Sequence, residues 1–212
     1  MDVRMFTVGP VAENTYIFRR DGSDRALIVD PGDEADTLLD AIRGLGVTLD
    51  GILLTHTHFD HVGAVAPIAK ATGAEVWCPE IEKPVLADIN SFVPWPGFGP
   101  FESYEADHTI RGGEKLELAG LEIDVIFTPG HSPGHVTYSV PDENVIFSGD
   151  VLFQGSVGRT DLPGGDWTTL LESIRTLVDS HPPETTVYPG HLGLTTLGAE
   201  RATNPFLAEL AR

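Results

Sequence analysis

The stretch Thr55-His56-Thr57-His58-Phe59-Asp60-His61-Val62-Gly63 packs four potential metal ligands into six residues, directly after the apolar run Gly51-Ile52-Leu53-Leu54. That run reads as a buried strand, so the ligands stand where a strand gives way to a loop. Residues two apart on an extended backbone point to the same side, which lets His56 and His58 grip one ion together. Asp60 and His61 follow the turn and face another way, placed for a second ion nearby. Three imidazoles and a carboxylate crowded into one turn without a partner would be costly to bury, so the pattern predicts metal binding.

Three further places repeat the arrangement. Residues 123–127 run into Thr128-Pro129-Gly130-His131, residues 145–147 into Ser148-Gly149-Asp150, and residues 186–188 into Pro189-Gly190-His191. Each is an apolar strand, a glycine turn that lets the backbone bend sharply, and a ligand-type residue. Alone, each would read as a surface turn. Together, four strand ends deliver seven ligand-type residues.

The elements that must position them follow from periodicity. Residues 3–8, 14–18 and 26–29 read as strands, and Asp30-Pro31-Gly32 as a turn in which Asp30 bonds locally, a supporting role beside the metals being the second choice. Residues 35–45 place Leu38, Leu39, Ile42 and Leu45 on one helical face and stop at Gly46. Residues 62–72 read as a helix that Pro67 kinks or delays, and 75–78 as a short strand. The signal fades over 79–109, where residues 91–101 set four aromatic rings among prolines and glycines. That loop is either pinned to the core by its rings or serves as a lid or subunit contact. A strand-rich run follows (115–118, 121–127, 136–140, 144–147), then an amphipathic helix over 166–179, a last strand at 186–188 and a short terminal helix at 205–211. Helices interleave with strands in both halves, which gives an α/β fold built on sheet.

Composition narrows the partners. The 212 residues suffice for one well-cored domain, and 41% hydrophobic content is ordinary for a soluble protein. Thirteen basic against 32 acidic residues leave a formal net charge of −19, which repels phosphate backbones and anionic membranes; nucleic acid and membrane are therefore not expected as partners. A single cysteine, Cys78, permits no intrachain disulfide. With no signal-peptide pattern at the start and no run of spanning length, the expected location is cytoplasmic. Oligomeric state is open.

The set His-x-His-x-Asp-His at 56–61, then His131, Asp150 and His191, resembles the ligand set of the metallo-β-lactamase superfamily in order and rough spacing over nearly the whole chain. The resemblance implies an αββα sandwich, two mixed sheets face to face with helices outside. It also implies that His56, His58 and His131 hold one metal, that Asp60, His61 and His191 hold a second, and that Asp150 bridges them. Two divalent ions are expected, zinc first, with iron or manganese also suited to histidine and carboxylate. Asp150 stands where class B β-lactamases related to the founding enzymes commonly carry cysteine, which argues against β-lactam hydrolysis. His58 stands where flavodiiron proteins usually have glutamate.

Phe147-Ser148-Gly149-Asp150-Val151-Leu152-Phe153, Gly158-Arg159-Thr160-Asp161 and the ending 195–207 are instead similar to glyoxalase II-like hydrolases (hydroxyacylglutathione hydrolases) in their short single-domain form. Missing is the longer helical C-terminal extension that supplies much of the glutathione contact in full-length enzymes. The expected activity is hydrolysis of a small-molecule thioester such as S-lactoylglutathione, with a metal-bridging hydroxide as nucleophile, oriented by Asp60 and Asp150. Arg159, in a Gly-rich loop nine residues beyond Asp150, is expected to recognise a substrate carboxylate. The alternative is a persulfide dioxygenase, a branch with a similar histidine string whose single Fe(II) would use His56, His131 and Asp150. A metal-storing or redox-partner module is the third reading. His135 reads as supporting or structural, His108 and His181 as solvated, and Tyr16 and Tyr138 as core.

Overall fold

The computed structural model describes residues 1–93 and 95–208. Two six-stranded sheets carry the chain. In the first, β1 (Asp2–Val8), β2 (Glu13–Arg19), β3 (Arg25–Val29), β4 (Thr48–Leu53), β5 (Glu75–Pro79) and β6 (His108–Ile110) lie in sequence order. β1 to β3 pair antiparallel. From β3 onward the pairs are parallel, because α1 (Ala35–Leu45), then α2 (Phe59–Val62) and α3 (Val65–Thr72), carry the chain back to the same end of the sheet.

The second sheet opens with an antiparallel run, β7 (Lys115–Leu118), β8 (Leu121–Phe127), β9 (Val136–Val140) and β10 (Val145–Gly149). A two-stranded ribbon of β11 (Leu152–Phe153) and β12 (Ser156–Val157) comes next, followed by α5 (Trp167–Ser180). β13 (Thr186–Pro189) then returns parallel to β10, and β14 (Thr195–Thr196) closes the edge.

Side-chain alternation decides the layers. Tyr16, Phe18, Leu27, Val29 and Leu53 of the first sheet meet Ile123, Val125, Tyr138 and Phe147 of the second in one buried cluster. The intervening Ile17, Ile28 and Ile52 pack instead with Leu38 and Ile42 of α1 and Ile68 of α3. Ile146 and Val187 cover the outer face of the second sheet together with Leu170, Ile174 and Leu177 of α5. The result is helix, sheet, sheet, helix: the expected sandwich. Strands buried on both faces read as continuous apolar runs, which is why 51–54 and 145–147 stood out in the sequence.

Three expectations are corrected. The helix predicted over 62–72 is two helices, broken at Gly63 and Ala64. Pro67 does not kink the second but accompanies its late start at Val65, falling in the first turn of α3, where amide N–H groups have no helical acceptor anyway. The fading region contains a short helix, α4 (Lys83–Ala87), and the strand β6. The terminal helix lies upstream of its expected place, as α6 (Leu197–Thr203), capped by Thr196 Oγ1 accepting from the Ala199 amide; only a 3-10 turn, Pro205–Leu207, falls in the expected span, and residues 209–211 of that expectation lie outside the described residues.

The two sheets are also tied by polar bonds at the rim where the ligands emerge. Val136 N donates to Thr55 O at 2.9 Å and Asn14 N to Gly190 O at 2.7 Å. Tyr138 Oη donates to Leu54 O at 2.8 Å, and Tyr16 Oη to Pro189 O at 2.7 Å. Both tyrosines are core residues, as expected, but each phenol also fixes a carbonyl two residues upstream of a predicted ligand. Tyr138→Phe leaves the buried Leu54 carbonyl without this partner and is expected to destabilise the fold by about 1–3 kcal/mol. Urea unfolding checks this: the midpoint should fall while the slope stays unchanged.

Candidate metal centre

The C-terminal ends of β4, β8, β10 and β13 deliver all seven predicted ligands to this rim, three of the strands coming from the second sheet and one from the first. β4 ends at Leu53, the chain bends at Thr55, and His58 is extended (φ −60°, ψ 146°) before α2 begins, with its Nδ1 3.1 Å from His56 Nε2. His56 and His58 therefore share a side, while Asp60 and His61 ride the first turns of α2. β10 carries an irregularity between Phe147 and Gly149 against β13, and Gly149 takes φ +46°. A Cβ on Gly149 would stand 2.4 Å from Thr55 Oγ1 and 2.6 Å from His135 Nε2, so only glycine lets the chain turn Asp150 inward here. Gly190 serves the same end, since a Cβ there would meet Asp150 Oδ1 at 2.3 Å.

Two groups of ligand atoms result, His56 with His58 and His131, and Asp60 with His61 and His191. In the first, His56 Nε2 lies 3.1 Å from His58 Nδ1, which lies 2.8 Å from His131 Nε2. Nitrogens bound tetrahedrally to one ion at ~2.0–2.1 Å stand about 3.3 Å apart, so the cluster is near ligand spacing. In the second, Asp60 Oδ2 is 3.3 Å from His191 Nε2 and 3.7 Å from His61 Nε2. Asp150 touches both groups, with Oδ1 3.4 Å from His61 Nε2 and Oδ2 3.4 Å from His131 Nε2 and 3.6 Å from His191 Nε2.

The remaining bonds of these rings fix which nitrogen is free. His131 Nδ1 donates to Arg159 O at 2.8 Å, and His191 Nδ1 to Ala12 O at 3.2 Å. His61 Nδ1 donates to Asp30 Oδ2 at 3.0 Å. Thr55 Oγ1 donates to Asp30 Oδ2 at 2.6 Å and so accepts from His56 Nδ1 at 3.0 Å. In each of these four rings the lone pair is left on Nε2, facing the other ligands, the usual support for a metal-binding histidine. Two buried ligand atoms, His61 Nε2 and Asp150 Oδ1, have no hydrogen-bond partner. Such orphans are expensive to bury, and a shared cation satisfies both. The donor set, all imidazole and carboxylate, suits zinc and iron alike.

Electrostatics divides the two groups. Burial, with His61 and His58 adding to it, pushes His56 well below the ordinary histidine range; burial and His131 lower His58 to about 4. Burial alone would also lower His61 and His191. At His61 the Asp150 and Asp60 carboxylates win and raise it well above the usual value; at His191 Asp150 and the Asp60 hydrogen bond raise it. Burial would raise Asp150, but His61, His131 and His191 hold it far below the ordinary carboxylate range. Asp60, against the same penalty, is lowered by His61 and His191.

Other expectations resolve as follows. Asp30 is not a local turn bonder: buried, with φ +47°, it accepts from Thr55 N, Thr55 Oγ1 and His61 Nδ1, the role that had been the second choice. His135 supports: its Nε2 accepts from Asp150 N at 3.1 Å while Nδ1 bonds Thr128 Oγ1 at 3.0 Å. His181 is not simply solvated, since it bonds Leu177 O and Ser139 Oγ; His108 is exposed but pairs with Glu75 at 2.8 Å. Arg159 lines the cleft over the ligands, with Nε and Nη2 bound to the two oxygens of Asp161 at 2.6 and 2.7 Å. The aromatic loop is pinned by two rings, Phe98 and Phe101 lying 4.9 and 5.8 Å from Phe59, while Phe92 and Trp95 line the cleft.

The sequence reading missed Glu82. It is buried, and its Oε1 accepts from Ser132 Oγ at 2.7 Å and Gly134 N at 2.8 Å, its Oε2 from Thr57 Oγ1 at 2.8 Å. One carboxylate thus clamps the loop carrying His56 and His58 to the loop carrying His131. Glu82 lies in the low-signal region, and no local motif marks it.

Glu82→Ala orphans all three donors and is expected to weaken the ion at the three-histidine group by roughly 10–100-fold. Chelator competition should show little change for the other ion, whose residues Glu82 does not touch. A pH dependence follows from the divided histidines. With raised values, His61 and His191 hold protons in the metal-free protein that an ion must displace, whereas His56 and His58 are already neutral. Lowering pH through the raised values should therefore weaken the second ion by about tenfold per unit for each proton displaced, and the first much less. Calorimetric titration in buffers of different ionisation enthalpy counts those protons.

The profile of the Metallo-beta-lactamase superfamily matches residues 8–191. A probable metallo-hydrolase of Bacillus subtilis, YqgX, is 41% identical over 98% of both chains. Hydroxyacylglutathione hydrolase GloC of Haemophilus influenzae is 38% identical, again over 98% of each. Among solved structures, BLEG-1 B3 metallo-beta-lactamase superposes with TM-score 0.92 at 40% identity, covering 98% of this chain and 100% of that one. TTHA1623 in a di-iron-bound form gives 0.87 at 41% over 96% and 100%. ETHE1 from Myxococcus xanthus gives 0.77 at 27% over 97% and 84%. With its fold, its strand-end ligands and these relatives in agreement, the chain belongs to the metallo-beta-lactamase superfamily.

Proposed function

We propose that this metallo-hydrolase cleaves a thioester, S-lactoylglutathione being the first substrate to test, with two divalent ions held by the seven ligands. The observation that carries this reading is Asp150, whose two oxygens face both ligand groups and so would serve a single two-ion site. GloC, 38% identical, lends the substrate class; the di-iron form of TTHA1623 lends the metal count. Bound divalent ions supply Lewis acidity, polarising a carbonyl and lowering the pKa of water to about 7.

The chain's own residues set the geometry. His56, His58 and His131 would hold one ion and Asp60, His61 and His191 the other, with Asp150 between them. Asp60 and Asp150, both kept ionised by their histidine neighbours, accept hydrogen bonds from the attacking water and aim it at the thioester carbon. The water oxygen adds to the thioester carbon as its proton is released to solvent, the carbonyl pair moves onto oxygen, and the carbonyl re-forms as the C–S bond breaks. The electron pair leaves on sulfur as a thiolate, an anion stable enough near its ordinary pKa of about 8.5 to depart without a protein acid. Arg159, on the cleft wall, would contact the part of the substrate that extends from the reacting carbon.

A persulfide dioxygenase is the second reading, favoured by the 27% identical ETHE1 and by His56, His131 and Asp150 forming a two-histidine, one-carboxylate set. Metal count separates them, with two ions for the hydrolase and one iron for the oxygenase. His58 distinguishes them too, being a ligand only in the first. His58→Ala should leave the circular dichroism spectrum and fold intact. It should lower metal-dependent loss of S-lactoylglutathione absorbance by more than the roughly 10–100-fold that a supporting residue costs. Near-normal turnover in this variant would refute the ligand assignment.

A further inference from the structure

The cleft above the ligands encloses about 710 Å³, large enough for a substrate rather than for water alone. Its floor is polar: His58, Asp60, His131, Asp150 and His191. The walls are not. Ile81, Phe92 and Trp95 face one another's side of it with 54%, 53% and 40% of their surfaces exposed, and Pro133, Phe153 and Leu162 continue the lining. Large apolar side chains left open around a reactive floor mark a binding surface.

These rings are not exposed because their loop is loose. Phe98 and Phe101 anchor it on Phe59, the residue between ligands His58 and Asp60, and the Asn90 amide trades two hydrogen bonds with the Phe101 backbone at 2.7 and 2.8 Å. Trp95 itself lies 6.0 Å from Phe59 in an edge-on arrangement. The open faces are held open.

Few polar groups of the walls are free, the exposed Ser91 hydroxyl being one that is. Thr57 and Ser132 donate to Glu82. Arg159 is the one Lys or Arg among the described residues lining the cleft. Asp161 takes two of its donors, and its guanidinium carbon sits 5.6 Å from the centre of the Trp95 ring. It therefore extends the aromatic wall as a plane whose charge Asp161 largely compensates, with its Nη1 donors left over. Glutathione carries two carboxylates and an ammonium. Bringing all three into this cleft strips their water and offers fewer partners than charges, on a chain of formal charge −19.

We infer that the site prefers a thioester one half of which is apolar and uncharged, an aliphatic or aromatic group lying against Trp95, Phe92 and Ile81, over one polar in both halves, such as S-lactoylglutathione. The inference rests on the thioester-hydrolase reading. It assigns Trp95 as a specificity residue and names the chemistry of the group, which either the thiol or the acyl side can contribute.

Three probes test it on the metal-loaded full chain: S-lactoylglutathione, the S-lactoyl ester of benzyl mercaptan, and S-hexanoylglutathione. The benzyl ester outrunning S-lactoylglutathione by about tenfold or more in kcat/KM supports an apolar thiol half; the same advantage for the hexanoyl ester supports an apolar acyl half. In either case Trp95→Ala should reduce that ratio at least about fivefold. S-lactoylglutathione cleaved fastest of the three, or a ratio indifferent to Trp95→Ala, overturns the inference and leaves the hydrolase reading standing. Cleavage of none by protein carrying two ions overturns both.

Discussion

Asp150 is the side chain on which the two halves of the site close. It is buried, and burial alone would drive its carboxyl to the neutral form; three histidines from three other segments reverse that. A buried carboxylate that stays ionised must be surrounded by positive charge, whether from protonated imidazoles or from cations. The fold places it with unusual care. The break in β10 register, the left-handed Gly149, the room left at Gly190 and the His135 ring bonded to its own amide all bear on this one residue.

Around this bridge, two more carboxylates hold the ligands without being ligands. Asp30 bonds His61 directly and His56 through Thr55, so it reaches one ring of each group from beneath. Glu82 ties the two loops of the three-histidine group and touches no part of the other. The first group is therefore braced from two sides, and burial favours the neutral ring at His56 and His58. The second is braced mainly by Asp30 and main-chain carbonyls, and it depends on charge balance with Asp60 and Asp150. Two groups of side chains that both neighbour Asp150 thus differ in their bracing and in their charge balance.

The predicted ligands were legible in the sequence because four crowd into 56–61 after one apolar strand, because His131, Asp150 and His191 each follow an apolar strand and a glycine, and because strands packed on both faces have an unmistakable apolar density. Order along the chain then carried the family resemblance and, with it, the sandwich. The supporting residues were not legible for physical reasons. Glu82 acts across 25 residues to Thr57 and 50 to Ser132, contacts set by tertiary packing, not by local pattern. Asp30 looked like a turn residue because it is one by position; only the approach of Thr55 and His61 reveals its second task. The short elements α4 and β6 were hidden in a segment whose prolines and glycines mask periodicity, and the helix at 197–203 lacks a broad apolar face of its own.

The acidity of the chain bears on the site as well as on its surface. With a formal charge of −19, the outer surface disfavours anions over about one Debye length, ~8 Å at physiological salt. On the floor of the cleft the sign would reverse, since two divalent ions exceed the charge of Asp60 and Asp150 together. The walls between are apolar, and their one guanidinium is largely compensated by Asp161. A substrate entering such a cleft meets repulsion for its charges outside, few partners for them on the walls, and a strong attraction for an electron-rich carbonyl at the bottom. That sequence of environments selects for the reacting group at the floor and for the absence of charge above it. The same aromatic loop that pins itself to Phe59 thereby connects the position of the metal ligands to the choice of substrate.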